Sequence, residues 1–118
     1  MNWYKMANSN IRLWLDDERD PNSPQIQAQY GAQGNEIWVK TIDEAISYLK
    51  QGDIAHISFD NDLGENEKEG HLLANWIEEQ AYLKELPKLD WDVHSQNPPA
   101  STAIVSAMNQ ADKFWEQL

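Results

Sequence analysis

Cysteine is absent from the 118 residues, which excludes disulfide scaffolds, thiolate metal sites and thiol nucleophiles. Basic residues are scarce: nine Lys and Arg face twenty Asp and Glu, a net charge of −11. Direct binding to duplex DNA or to an anionic membrane is therefore not expected, and a phosphate ligand needs a cation as intermediary. No apolar run approaches the roughly 20 residues that span a bilayer. Met1 to Asn10 carries one Lys and no apolar stretch of the signal-peptide kind, so a cytoplasmic protein is expected. What is present argues for a core: 41% of the residues are hydrophobic and six are Trp. The length suits one domain, placed over 11–118 behind an N-terminal arm over 1–10.

Strands and helices alternate along the chain. Ile11 to Leu15 is a short apolar run that stops at Asp16-Asp17-Glu18-Arg19, the pattern of a buried strand opening onto a loop. Ser23 before Pro24 starts one or two helical turns through Tyr30, closed by Gly31. Glu36 to Lys40 reads as the second strand. Thr41 to Glu44 then forms a capping box, with Ile42, Ala45, Ile46 and Leu49 on one helical face and Gly52 as terminator. Ile54 to Phe59 is the third strand and delivers Asp60-Asn61-Asp62-Leu63-Gly64. Leu72, Leu73, Trp76, Ile77 and Leu83 place a helix from about Gly70 into the low eighties, ended before Pro87. Leu89 to Val93 is the fourth strand, and Ile104, Ala107, Met108, Ala111 and Trp115 mark the face of a closing helix.

Strands separated by helices imply right-handed crossovers and a parallel sheet covered on both faces, an α/β fold. Ligand sites in such sheets lie at the carboxyl ends of the strands, where the order reverses. Here those ends carry Asp16-Asp17, Asp60 and His94-Ser95. Nine of the twenty acids fall at positions 16–20 or 60–69. Carboxylates crowded together raise one another's pKa unless a cation is shared. Hard oxygen ligands without cysteine favour Mg2+, or Mn2+ in the same geometry, over zinc.

Each residue also has a plainer reading. Acids after a strand commonly cap turns. Arg19, one of two arginines, suits either a phosphate or an ion pair with Asp16 or Glu18. His94 is either a proton carrier or a hydrogen-bonded structural residue. Asp62 is a secondary metal ligand or a turn cap, and His71 remains open. His56 and Trp14, Trp38, Trp76 and Trp91 read as packing. Two other motifs fail on context: the phosphatase Asp-x-Asp belongs on a first strand, and in an EF-hand Gly64 comes one place early with His71 where Glu is needed.

LDDERDP (Leu15 to Pro21), FDNDLG (Phe59 to Gly64), EGHLLANWIEE (Glu69 to Glu79) and VHSQNP (Val93 to Pro98) together resemble the cyclic-phosphate processing receiver-like family. The resemblance implies a short receiver-like, flavodoxin-like three-layer sandwich with a four-stranded parallel sheet, order 2-1-3-4, lacking the fifth strand. It implies a metal-dependent enzyme on cyclic or terminal phosphates of nucleotides or RNA ends, with RNA repair as its setting. Asp16, Asp17 and Asp60 match the metal-binding acids, Glu18 and Arg19 complete the DDER signature, and His94 matches the histidine after the fourth strand. Asp60 is a ligand or a nucleophile on this reading. Asn61 stands where the family commonly has histidine, and His71 where it has tyrosine. Asn61 favours the alternative, a non-catalytic phosphate- or metal-binding module whose acidic surface docks a partner protein.

Overall fold

A computed structural model describes residues 10–60, 70–94 and 98–117, with the side chains of 98–100 not described. Apart from Asn10, the N-terminal arm lies outside the described residues. The elements run β1 (Ile11–Leu15), α1 (Pro24–Tyr30), β2 (Ile37–Val39), α2 (Ile42–Leu49), β3 (Ile54–Phe59), α3 (Gly70–Tyr82), β4 (Asp90–Val93) and α4 (Pro98–Glu116). The second strand is trimmed by one residue at each end and the fourth begins one later than the pattern suggests. All neighbours pair in parallel, in the order β2-β1-β3-β4. The chain steps one way from β1 to β2 and then returns across β1 to β3, so the switch point lies between β1 and β3.

Local chemistry sets the helix ends. Thr41 Oγ1 accepts the Glu44 N–H, and Glu44 Oε1 accepts the Lys40 N–H, one residue ahead of the usual capping-box partner. Ser23 occupies the N-cap of α1 in extended conformation without a side-chain bond to the helix; Pro24 has no N–H to satisfy there. Gly31, at φ 82°, closes α1 by donating to Gln27 O. Lys84 closes the end of α3 at φ 59°: its N–H reaches Ala81 O and the Glu85 N–H reaches Gln80 O, a Schellman arrangement ahead of Pro87.

Side chains alternate across a strand, and the two faces of the sheet differ sharply. Leu13, Leu15, Val39, Ile57 and Phe59 pack against Ala45 and Leu49 of α2, Leu73 and Ile77 of α3, and Ile104, Met108 and Ala111 of α4 in one apolar cluster. Trp115 within it and Trp91 at its edge keep their indole N–H groups bonded, to Leu86 O and Asp112 Oδ2. The opposite face carries Trp14, Ser58 and Asp92 in one row and Arg12, His56 and Asp90 in the next. α1, which buries no residue, stands on the Trp14 side, with Tyr30 edge-on to His94. The sheet is therefore apolar under three helices and polar on the other side. Among the described residues no helix is long and apolar enough to cross a membrane.

Candidate metal centre

The register brings the key residues to one height. Leu15 pairs with Phe59 and Phe59 with Val93, so the next residue of each strand lies beside its neighbours. Each then hooks onto the adjoining strand: Asp16 N–H donates to Val39 O (3.1 Å), Asp60 N–H to Leu15 O (2.9 Å) and His94 N–H to Phe59 O (2.9 Å). Asp16, Asp60 and His94 are all buried. Asp17, half-buried, joins them, and oxygen atoms of Asp16, Asp17 and Asp60 lie within 4.8 Å of one another.

Asp16 is the hub. Its Oδ1 accepts the backbone N–H groups of Glu18 (2.8 Å) and Arg19 (2.9 Å), which folds the acidic loop back over the strand end. Its Oδ2 takes Arg19 Nη1 at 3.2 Å and His94 Nε2 at 2.9 Å. Two indoles hold the same loop, Trp38 Nε1 donating to Asp16 O (2.7 Å) and Trp14 Nε1 to Arg19 O (2.9 Å). Burial alone would push the Asp16 carboxyl up. The His94 contact and the two loop N–H groups outweigh it and hold Asp16 below the usual carboxylate range. Burial also works against the Arg19 charge, and Asp16 more than restores it, so the guanidinium is firmly protonated.

Arg19 Nη1 also stands 3.5 Å from Asp60 Oδ2, so one guanidinium spans two of the three carboxylates. Its carbon lies 4.5 Å from the centre of the Tyr30 ring. His94 lies flat on Trp14, and its Nδ1 meets Ser58 Oγ at 2.7 Å. Ser58 Oγ in turn meets Asp92 Oδ1 at 2.5 Å, and Asp92 Oδ2 is 3.5 Å from His56 Nε2. Partial desolvation raises the largely exposed Asp92 carboxyl, while the contacts with His56 and Ser58 outweigh it and leave it below the usual range.

The three close contacts from Asp16 through His94 and Ser58 to Asp92 each need a proton. The serine hydroxyl supplies one, and which ring nitrogen of His94 donates depends on its tautomer. The Ser58–His94–Asp16 string resembles a hydrolase triad only in composition. Ser58 is buried within a strand and already engaged by Asp92, which leaves it no access as a nucleophile.

The donor set fits a hard divalent cation. Among the described residues, three carboxylates converge at the switch point of the sheet. Glu18 contributes its backbone N–H while the residue itself is exposed. His71 sits half-buried in the first turn of α3. Asn61, Asp62 and Ser95 lie outside the described residues. Ser58, Asp92, Tyr30 and the clamping roles of Trp14 and Trp38 escape the sequence reading. Period-two counting back from Asp60 and His94 reaches Ser58 and Asp92, the signal that could have found them. His56, read as packing, is buried but also faces Asp92.

A parallel sheet ordered 2-1-3-4, with paired acids after β1 and a third acid after β3, defines a receiver-like domain. The family model of the cyclic-phosphate processing receiver domain matches residues 11–110, and the chain belongs to that family. No significant match is found among curated proteins or among solved structures.

Proposed function

We propose that this domain is a metal-dependent phosphohydrolase acting on cyclic or terminal phosphates of nucleotides or RNA ends, with RNA repair as the setting. The observation that carries the reading is the convergence of Asp16, Asp17 and Asp60 beside Arg19 and His94 at the end of the sheet. In this proposal the three carboxylates hold Mg2+ or Mn2+, with Asp62 as a further ligand. A bound ion would supply Lewis-acid polarisation of a phosphoryl oxygen and offset the charge that otherwise repels a phosphate from a chain of net charge −11. Arg19 grips non-bridging phosphate oxygens through its planar fork.

For a 2′,3′-cyclic phosphodiester, water oxygen forms a bond to phosphorus, one ring P–O bond breaks, and the freed ribose oxygen takes a proton. Asp60 orients the water. His94 handles that proton in this reading, and the proton lost by water balances it. The saturation of Asp16, which already takes four hydrogen bonds, favours a second reading as a non-catalytic phosphate- or metal-binding module that docks a partner protein.

Incubation with a 2′,3′-cyclic nucleotide and with cyclic-ended RNA, each with Mg2+, separates the two. Turnover to the monoester that is lost in Asp60→Asn and reduced at least about 100-fold in His94→Ala supports the enzyme. A ligand that binds and returns unchanged supports the module.

A further inference from the structure

The centre has a cation of its own. Arg19 Nη1 lies 3.2 Å from Asp16 Oδ2 and 3.5 Å from Asp60 Oδ2, so its charge faces two of the three oxygens groups that a divalent ion would use. Two further observations distinguish the backbone of Arg19 from its side chain. Its backbone is pinned on both sides, the N–H on Asp16 Oδ1 and the carbonyl under Trp14 Nε1. Its side chain is 23% exposed, against 0% and 4% for its two carboxylate partners. The Tyr30 ring, 4.5 Å from the guanidinium carbon, offers a contact that does not depend on the carboxylates.

We propose that Arg19 is the built-in counter-ion of the centre, neutralising Asp16 and Asp60 until a divalent cation displaces its guanidinium, which then stays beside Tyr30 and is free to meet a phosphate. This rests on the reading of the acidic cluster as a metal centre. The charge arithmetic supports exchange: a divalent ion brings twice the charge to the same oxygens, and the arginine it releases keeps its own. The two cations therefore compete, and linkage requires each to weaken the hold of the other. The metal-free chain avoids a cluster of unneutralised carboxylates, and phosphate binding follows metal binding because the guanidinium is released only then.

Calorimetric titration of wild type and Arg19→Gln with Mg2+ tests this, alongside 15N NMR of the Arg19 side chain in wild type. With its competitor removed, Arg19→Gln is expected to bind Mg2+ at least about fivefold tighter than wild type, while melting lower without metal. The Arg19 Nε signal of wild type is expected to shift with the same midpoint as Mg2+ binding. Wild-type binding with equal or weaker affinity in Arg19→Gln, or an Arg19 signal that stays still, overturns the exchange and leaves the metal centre standing. No Mg2+ binding by either protein removes the metal centre itself, and the exchange with it. If Arg19→Gln does not fold, the wild-type NMR titration decides alone.

Discussion

The imidazole of His94 lies flat on the indole of Trp14, with ring centroids 3.8 Å apart and planes 7° from parallel. The stack fixes the ring plane, and the hydrogen bonds to Ser58 and Asp16 fix its rotation within that plane. Removing the ring leaves Asp16 buried without one of its hydrogen-bond partners and opens space beside Trp14. His94→Ala is expected to lower unfolding free energy by about 3 kcal/mol. Asp17→Asn, at a half-exposed position, should stay within about 1 kcal/mol of wild type. Urea unfolding midpoints at constant slope check both, and a loss below about 1 kcal/mol in His94→Ala would place the ring outside the network.

The pH dependence follows from Asp16 and Asp92, both held below the ordinary carboxylate value in the folded chain. At acid pH the unfolded chain binds protons first, near the unperturbed value of about 3.9. The stability these groups contribute is therefore complete above that value and is lost as pH falls through it toward their folded values. Urea midpoints for wild type should decline from about pH 5 downward. Asp92→Asn should show a shallower decline, since it removes one depressed carboxylate. An unchanged slope in that variant would mean that the Ser58 and His56 contacts do not favour the ionised form.

The elements were legible because β1, β3 and α2 carry local signals that agree with the tertiary context: continuous apolar runs for buried strands and a capping box before an amphipathic turn. Asp16, Asp17 and Asp60 were legible for a related reason, since acids that directly follow buried strands must emerge where the strands end. Ser58 and Asp92 were not. Both sit inside strands, where a polar residue on alternating positions reads as an ordinary solvated face. Only the placement of His94 across β3 and β4 turns that row into a network. Tyr30 escaped because its part depends on how α1 folds back over the Arg19 loop. The indole N–H groups of Trp38 and Trp14, which clamp the loop at Asp16 O and Arg19 O, carry no linear pattern.

Asp60 separates repulsion from ligation. Asp60→Asn removes a negative charge beside Asp16 and Asp17, which favours the metal-free fold, but it also removes the carboxylate 3.5 Å from Arg19 Nη1, which opposes it. The two effects act on the same buried group with opposite sign. The metal-free melting point should therefore move little, by the equivalent of at most about 1 kcal/mol. The response to Mg2+ has no such cancellation. A ligand present at 100 times its Kd stabilises the native state by about 2.7 kcal/mol, and weakening the site tenfold lowers that to about 1.4 kcal/mol at the same concentration. Thermal melts of wild type and Asp60→Asn across a Mg2+ series should thus start close together and separate as the metal is added, with the variant rising less. Curves that rise in parallel would show that Asp60 is not a ligand and that the ion, if bound, is held by Asp16 and Asp17 without the third strand.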